Sequence, residues 1–289
     1  MPLPFVKLHG LGNSYIYLDL TEGAPSNLDL AALSRRVSDK GFGIGSDGLI
    51  AILPSEVADA RMRIFNADGS EAQMCGNGIR CVGKYLYDRG KVRRTEVFIE
   101  TGGGVRALRL SVEKDRVRSV QVEMGEPLFA KERIPMVGDP ESTATWEPLD
   151  VDGRRFYVTA LSMGNPHCVV FSERLEDELV HGAGPLIERH PAFPQRTNVE
   201  FVSPRPDGSL QMRVWERGSG ETLACGTGAC AAAVAARLLG ITRADEVTVR
   251  LPGGELTIRW SPGEPVWMIG PAEEIASGEL SDEWLEAVR

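Results

Sequence analysis

The chain repeats itself at a fixed interval, and this repeat constrains the fold more than any other feature. Residues 62–66 read Met-Arg-Ile-Phe-Asn and lead to Cys-Gly-Asn-Gly at 75–78, whereas residues 212–216 read Met-Arg-Val-Trp-Glu and lead to Cys-Gly-Thr-Gly at 225–228. The two segments align without a gap at an interval of 150 residues. A duplication of this length predicts two similar domains of about 120–150 residues, within the usual range of domain sizes.

Both halves also carry a Gly-Asn pair before the cysteine motif, at 12–13 and at 164–165, so the two landmarks follow in the same order at an interval of 152 residues. Alternating runs predict strands at 61–65, 211–215, 246–250 and 256–260. Helices are predicted at 28–39 (capped by Ser26 or Asn27), 79–88, 175–188 and 229–239. We therefore predict an α+β fold of two pseudo-symmetric domains, each a mostly antiparallel sheet or barrel wrapped around a central helix, with the active site in the interdomain cleft.

Composition and charge exclude several classes of protein. The 289 residues are 42% hydrophobic and 25% charged, and the formal net charge is -9. An acidic surface disfavours nucleic acid and anionic membranes as partners, because both attract basic patches. The first residues do not resemble a secretory signal, and no apolar run reaches the roughly 18 residues of a membrane span. We therefore expect a cytoplasmic protein that binds neither nucleic acid nor membrane.

Five cysteines are present, and two of them are candidates for chemistry. Their odd number does not match a disulfide framework, and their spacing does not fit a zinc site, so no metal is expected. We interpret Cys81, Cys168 and Cys230 as small buried hydrophobic residues. Cys75 and Cys225 differ from these because each precedes Gly-x-Gly at the start of a predicted helix.

A cysteine at a helix start lies beside unsatisfied backbone N–H groups and the positive end of the helix dipole. Both favour the thiolate, so we expect the pKa of Cys75 and of Cys225 to fall towards neutrality. The glycines allow an anionic ligand to approach the same N–H groups closely. Two such sites, related by the repeat, predict that both helices point at one shared ligand.

This arrangement suits the inversion of a stereocentre, which needs a base on one face of the carbon and an acid on the other. Cys75 and Cys225 would exchange these roles according to the direction of the reaction. The helix N-termini would stabilise the charge that develops on the α-carboxylate of an amino acid. No lysine has a convincing Schiff-base context, so we predict a reaction without pyridoxal phosphate.

Further motifs follow one another along the whole chain. They are His-Gly-Leu-Gly-Asn at 9–13, Gly-Phe-Gly-Ile-Gly with Asp47 at 41–47, Phe-Asn-Ala-Asp-Gly at 65–69, Met-Cys-Gly-Asn-Gly-Ile-Arg-Cys at 74–81, Gly-Asn-Pro-His at 164–167, Thr-Asn at 197–198, Glu-Arg-Gly-Ser-Gly-Glu-Thr at 216–222, Ala-Cys-Gly-Thr-Gly at 224–228 and Gly-Pro-Ala at 270–272. In this order they resemble the diaminopimelate epimerase family. Gly48 departs from the pattern of those members that carry glutamine there, so we predict no side-chain contact at that position.

The resemblance implies a role for each matching residue. Cys75 and Cys225 would be the two bases, and His167 and Glu216 would tune the thiols. The backbone at Gly76, Asn77, Gly226 and Thr227 would hold the substrate α-carboxylate. The side chains that would bind the substrate are those of Asn13, Asn66, Asn165, Asn198, Glu216 and Arg217.

The resemblance also implies the reaction and the organisation of the protein. Members convert LL-diaminopimelate to the meso form in lysine and peptidoglycan-precursor synthesis, without a cofactor and usually as homodimers. We therefore expect an isomerase that acts on a small amino acid. An N-terminal epimerase domain would comprise residues 1–125 plus 273–289, and a C-terminal epimerase domain residues 126–272.

Two alternatives remain open. The first is a cofactor-independent racemase or epimerase of the proline or hydroxyproline type, although those typically carry histidine where Asn77 stands and lack the Glu216-Arg217 pair. The second is a thiol redox protein, for which exposed cysteines of low pKa would also serve. Exchange of the substrate α-proton with solvent separates these functions.

Overall fold

The structure is a computed structural model that describes residues 2–23, 25 and 28–286 of the chain. The chain divides into two compact units, Met1–Val122 with Gly270–Arg289 (unit 1) and Glu123–Ile269 (unit 2). Both units are built mainly of strands with a few helices, so the predicted α+β fold class is confirmed. Among the described residues, no helix is both long enough and apolar enough to cross a membrane.

The elements are numbered in chain order. The strands are Leu3–Gly10 (β1), Asn13–Asp19 (β2), Gly48–Leu53 (β3), Ala60–Asn66 (β4), Glu71–Ala72 (β5), Glu96–Thr101 (β6), Gly104–Glu113 (β7), Arg116–Gly125 (β8), Ala144–Val151 (β9), Arg154–Ser162 (β10), Pro166–Phe171 (β11), Asn198–Pro204 (β12), Leu210–Glu216 (β13), Gly220–Thr222 (β14), Glu246–Leu251 (β15), Gly254–Arg259 (β16), Val266–Pro271 (β17) and Glu273–Leu280 (β18). The helices are Leu30–Ser38 (α1), Gly76–Asp88 (α2), Gly184–Glu188 (α3), Gly226–Leu238 (α4) and Asp282–Leu285 (α5).

The two units pair their strands in the same order. In unit 1 the order is β18–β1–β2–β3–β4–β6–β7–β8, and in unit 2 it is β9–β10–β11–β12–β13–β15–β16–β17. The third and fifth links are parallel in both units, and the other links are antiparallel. The short strands β5 and β14 form matching hairpins with β4 and β13. The sequence repeat is therefore a repeat of topology, in which β18 takes the place in unit 1 that β9 takes in unit 2.

Helices α2 and α4 occupy matching places in the two units. Helix α2 packs against β1, β2, β6 and β7, and α4 packs against β10 to β13, β15 and β16. Each begins at the glycine directly after its cysteine, three residues before the predicted start, because the extended backbone of the cysteine makes that residue the N-cap. A glycine of positive φ follows each helix, Gly90 at 73° and Gly240 at 70°, in the left-handed position that commonly ends helices.

The predicted strands at 61–65, 211–215, 246–250 and 256–260 correspond to β4, β13, β15 and β16. Helix α1 is shorter than predicted, because Asp29 is its N-cap and accepts hydrogen bonds from the N–H groups of Ala31 and Ala32 at 3.0 Å. The predicted caps Ser26 and Asn27 lie outside the described residues.

The single helix predicted at 175–188 is wrong. Residues Glu178–Ala183 form a π-helical segment, and only Gly184–Glu188 is α-helical. Pro185 has no N–H group to donate to the carbonyl of His181, which a continuous α-helix would require.

Candidate active site

Each central helix carries a candidate base at its N-cap. Cys75 has extended backbone angles (φ -139°, ψ 115°), and its Sγ accepts a hydrogen bond from the Gly78 N–H at 3.3 Å. Cys225 has similar backbone angles (φ -121°, ψ 110°), and its Sγ lies 3.5 Å from the hydroxyl of Thr227. The two cysteines therefore hold equivalent positions in the two units.

Both helix starts lie close to the strand beneath them. An added Cβ on Gly78 would lie 2.6 Å from Cδ1 of Ile50 in β3, and one on Gly228 would lie 2.8 Å from Oε1 of Glu200 in β12. Each Gly-x-Gly motif thus serves close packing of the first helical turn as well as the approach of a ligand.

Unit 1 surrounds Cys75 with amide side chains and a buried guanidinium. The Sγ of Cys75 lies 3.6 Å from Oδ1 of Asn13, which also accepts a hydrogen bond from Nδ2 of Asn77 at 3.4 Å. Asn13 in turn donates from Nδ2 to the Asp47 carboxylate at 3.0 Å. The fully buried Arg80 donates from Nη2 to Oδ1 of Asn77 at 3.0 Å. Asn13 and Asn77, both predicted site residues, therefore meet at the thiol.

Gly48, where the sequence departs from the pattern of some family members, lies very close to the neighbouring strand. Gly48 has a φ of 155°, and a Cβ there would lie 2.1 Å from the carbonyl oxygen of Phe65 and 2.9 Å from the ring of Tyr15. A side chain at this position would clash with β4, so glycine is needed here. Asn66, another predicted site residue, ends β4 and donates from Nδ2 to the Ser70 hydroxyl at 2.9 Å.

Unit 2 surrounds Cys225 with a chain of polar side chains that begins at a buried carboxylate. Glu200 Oε1 lies 2.7 Å from His167 Nδ1, and His167 Nε2 lies 2.9 Å from Asn165 Oδ1. Asn165 donates from Nδ2 to the Thr227 hydroxyl at 3.4 Å, and that hydroxyl contacts the Cys225 sulfur. The predicted residues His167, Asn165 and Thr227 are thus linked to the thiol.

A second carboxylate, Glu216, lies at the end of β13 and accepts a hydrogen bond from the Thr222 hydroxyl. Burial raises the pKa of Glu216, the Thr222 hydrogen bond opposes this rise, and the Glu200 carboxylate adds to it. A carboxyl group whose pKa is raised by burial and by a neighbouring carboxylate is a common feature of sites that move protons.

The remaining predicted residues lie at the end of β13 and the start of β12. Asn198 is buried, donates from Nδ2 to the Pro166 carbonyl at 3.0 Å and accepts the Arg217 N–H at 2.9 Å. The amide nitrogen and the amide oxygen of Asn198 therefore both form hydrogen bonds with backbone groups. The guanidinium of Arg217 donates to the Gln195 carbonyl at 3.1 Å and is otherwise turned towards solvent.

The prediction that both thiols have a pKa near neutrality is wrong. Burial raises the pKa of Cys75, although the N–H groups of Gly78 and Asn77, and then Tyr15 and Arg80, oppose the rise. Burial raises the pKa of Cys225 well above its ordinary value, and the carboxylates of Glu216 and Glu200 add to this effect. The loss of hydration of the thiolate therefore outweighs the helix N-terminus at both positions.

Three residues that act on the two thiols were not among the predicted site residues: Tyr15, Arg80 and Glu200. Tyr15 forms a hydrogen bond with Cys75, and Arg80 and Glu200 are fully buried. The signal for Glu200 was present in the repeat. Ile50 stands 150 positions earlier and pairs with Ile64 as Glu200 pairs with Val214, so an apolar position in one half is charged in the other.

The diaminopimelate epimerase family model matches residues 5–130 and 159–275. The chain belongs to this family. A diaminopimelate epimerase of Pelotomaculum thermopropionicum is 53% identical over 275 residues, which cover 95% of this chain and 98% of that protein. One of Desulfitobacterium hafniense is 50% identical over 286 residues, which cover 98% of this chain and 100% of that protein. Family membership makes the protein an amino-acid epimerase, which is an isomerase.

Solved structures of lower sequence identity share the fold of this epimerase. A hydroxyproline epimerase from Agrobacterium vitis has a TM-score of 0.66 at 17% identity and covers 96% of this chain and 91% of its own. A Bacillus anthracis phenazine biosynthesis protein of the PhzF family has a TM-score of 0.68 at 15% identity and covers 97% of this chain and 99% of its own. At these identities the likeness concerns the fold alone.

Proposed function

We propose that the protein interconverts LL- and meso-diaminopimelate by two-base proton transfer at the α-carbon, with Cys75 and Cys225 as the bases. The observation that carries the proposal is the placement of a cysteine at the N-cap of the central helix in both units. Relatives named diaminopimelate epimerase at 53% and 50% identity support the choice of substrate. We further propose a cytoplasmic homodimer that serves lysine and peptidoglycan-precursor synthesis.

The proton inventory of the reaction is simple. The thiolate of one cysteine removes the α-proton and becomes a thiol, while the thiol of the other gives its proton to the opposite face and becomes a thiolate. The reverse reaction exchanges the roles. A thiolate that forms in a dehydrated site is a stronger base than one in water, so the raised pKa of both thiols matches the weak acidity of an α-proton.

The proposal assigns the binding of the α-carboxylate to the backbone at Gly76, Asn77, Gly226 and Thr227, which lies at the two helix N-termini. His167 and Glu216 would tune the thiols. The other polar contacts would come from Asn13, Asn66, Asn165, Asn198, Glu216 and Arg217. The exposed Arg217 retains donors beyond its bond to Gln195, so it suits the distal carboxylate of a substrate with two amino-acid ends.

The division of the chain into unit 1 and unit 2 supports an assignment of domains. We propose that an N-terminal epimerase domain comprises residues 1–125 plus 273–289, and that a C-terminal epimerase domain comprises residues 126–272. Each would contribute one base to the reaction.

The test is proton NMR of LL-diaminopimelate in D2O with reduced protein and no added cofactor. We expect the α-proton signal to disappear while the meso isomer accumulates. Cys230→Ala is the matched control, because Cys230 is fully buried inside α4 and should leave exchange intact. Exchange with proline and none with diaminopimelate would contradict the substrate, and no exchange with either would contradict the reaction.

A further inference from the structure

Glu200 is a buried carboxylate that the proposed mechanism does not use. Its side chain has no exposed surface and lies beneath the first turn of α4. One oxygen, Oε1, meets His167 Nδ1 at 2.7 Å, whereas Oε2 has no hydrogen-bond partner among the described residues. A buried carboxyl group with an unpartnered oxygen is costly to the fold and needs an explanation.

The other half of the repeat provides an internal comparison. The register of β3 with β4 and of β12 with β13 places Ile50 where Glu200 stands. Both side chains support a helix start, since a Cβ on the facing glycine would approach Ile50 to 2.6 Å and Glu200 to 2.8 Å. Support of the helix therefore requires no charge, and Glu200 must serve another purpose.

The charges around the two thiols differ throughout. The carboxylates of Glu216 in β13 and Glu200 in β12 act on Cys225, and His167 in β11 lies against Glu200. The matching positions in unit 1 hold Asn66, Ile50 and Tyr15. Cys75 instead has the buried guanidinium of Arg80 nearby, and its nearest carboxylate in this network, Asp47, is bonded to Asn13 at 3.0 Å.

We propose that Glu200 is a positioning residue of the Cys225 half-site, which acts through His167 and through its own charge to keep the Cys225 thiol protonated while Cys75 ionises. His167 links Glu200 to Asn165 at 2.9 Å, and Asn165 leads through Thr227 to the sulfur. Glu200 thereby distinguishes two thiols that the repeat would otherwise make equivalent. Because it is fully buried, it makes no contact with the substrate.

This inference rests on the proposed function, because the effect of Glu200 on the reaction follows only if Cys75 and Cys225 are the two bases. Two-base inversion proceeds when one thiol is protonated and the other is not, so this difference creates, before the substrate arrives, the state that is productive in the direction in which Cys75 is the base. The carboxylates of Glu216 and Glu200 raise the pKa of Cys225 in addition to burial, whereas Arg80 opposes the rise at Cys75.

The experiment measures alkylation of each thiol as a function of pH, with iodoacetamide and peptide-resolved mass spectrometry on the full chain. Cys81, Cys168 and Cys230 are fully buried and should not react in the folded protein. In the unmodified protein we expect Cys75 to react at lower pH than Cys225. In Glu200→Gln the Cys225 midpoint should fall by about one pH unit, the lower end of the effect of a close charge. The Cys75 midpoint should stay in place.

Glu188→Gln is the matched control. Glu188 is also buried in unit 2, but its oxygens accept hydrogen bonds from Trp215 and Gly218, and it takes no part in the hydrogen bonds that lead from Glu200 to Cys225. Neither midpoint should move in this variant.

A second variant, Glu200→Ile, repeats the test with the residue that unit 1 carries at this position, and circular dichroism verifies the fold of both variants. An unchanged Cys225 midpoint in the folded variants would overturn the proposal, as would an equal shift at Cys75. The assay contains no substrate, so its outcome is independent of whether diaminopimelate is the substrate. In the epimerase assay, the limb of the kcat/KM profile that belongs to Cys225 should move in the same direction with KM retained.

Discussion

Cys75 and Cys225 occupy equivalent N-caps in unlike surroundings. Cys75 has amides, Tyr15 and a buried guanidinium nearby, with the Asp47 carboxylate behind Asn13, whereas the charges of two carboxylates act on Cys225 and a histidine bonds one of them. A symmetric scaffold thus carries an asymmetric distribution of charge. Since epimerisation needs unlike protonation states on the two faces of one carbon, the asymmetry suits the proposed reaction.

The two-base proposal predicts that either cysteine is indispensable. In Cys75→Ala and in Cys225→Ala, kcat/KM for inversion should fall by about 10²–10⁴-fold, the range that a general acid or base contributes. Conversion of LL- to meso-diaminopimelate, measured by chromatography, provides the readout. Full activity in either variant would refute the mechanism, and Cys230→Ala tests whether loss of any buried cysteine has the same effect.

The raised pKa of Cys225 predicts a dependence of stability on pH. An unfolded cysteine loses its proton near about pH 8.5, whereas the folded protein retains the proton at Cys225 above that value. Between that pH and the folded pKa, the folded state binds more protons than the unfolded state. The contribution of Cys225 to the free energy of unfolding is therefore complete below about pH 8.5 and is lost as pH rises towards the folded pKa. The free energy of unfolding, measured with urea, should fall as pH rises above about 8.5. This fall should be shallower in Cys225→Ala by up to about 1.4 kcal/mol per pH unit.

The same measurement on Cys75→Ala is the comparison. The N–H groups of Gly78 and Asn77 oppose the effect of burial there, so removal of Cys75 should flatten the slope less. Identical slopes in Cys225→Ala and the unmodified protein would show that Cys225 titrates alike in the folded and unfolded states.

Close backbone contacts between secondary structure elements fix the positions of the candidate residues. Strand β3 approaches β4 at Gly48, where an added Cβ would lie 2.1 Å from the carbonyl oxygen of Phe65. This contact sets the end of β4, which holds Asn66, and the adjoining hairpin leads to Cys75. The glycine is therefore part of the support of the Cys75 half-site.

We predict that Gly48→Ala destabilises the protein by about 3 kcal/mol, because the opposing atom belongs to backbone and cannot rotate away. Gly182→Ala is the control, since no described atom outside its chain neighbours and its own helix backbone lies within 4 Å of its added Cβ. Its free energy of unfolding should stay the same or rise by about 0.4–1 kcal/mol. Urea midpoints provide the comparison, and equal midpoints in the two variants would remove the argument for a close approach at Gly48.

Much of this arrangement could be predicted from the sequence, because it depends on local patterns and on the repeat. The interval of 150 residues placed both cysteines at equivalent helix starts, and the alternating runs located β4, β13, β15 and β16. Properties that depend on tertiary packing could not be predicted in this way. Burial of the two thiols reverses the effect expected from the helix N-termini, and the π-helical segment before Pro185 breaks a pattern that is helical in its apolar spacing.

The whole chain is organised by a strand that returns to the unit in which the chain begins. Strand β18 pairs antiparallel with β1 from Leu3–Leu280 to His9–Glu273, and Leu280 joins a buried cluster with Leu3, Leu33 and Leu285. The place filled by β9 in unit 2 is therefore filled from a distant part of the sequence in unit 1.

This return predicts different effects for two substitutions in β18. Leu280→Ala should destabilise unit 1 by about 2–5 kcal/mol, because Leu280 is 6% exposed and packs in the core. Ile275→Ala should change stability by less than about 0.5 kcal/mol, because Ile275 is 52% exposed. Hydrogen exchange should show lost protection in β1 and retained protection in α4 for Leu280→Ala. Equal exchange in the two variants would contradict the role of β18.

The return of β18 also has a consequence for synthesis on the ribosome. Unit 2 is contiguous in sequence and can complete its strand order as soon as it has emerged, whereas β1 pairs with β2 on one side and lacks its other neighbour, β18, until unit 2 has been made. During that interval β1 exposes an unpaired edge, which is the kind of surface that recruits strands from other chains. The unit that is begun first is thus the last to be finished, and a nascent chain that stalls before β18 would carry a folded second half beside an open-edged first one.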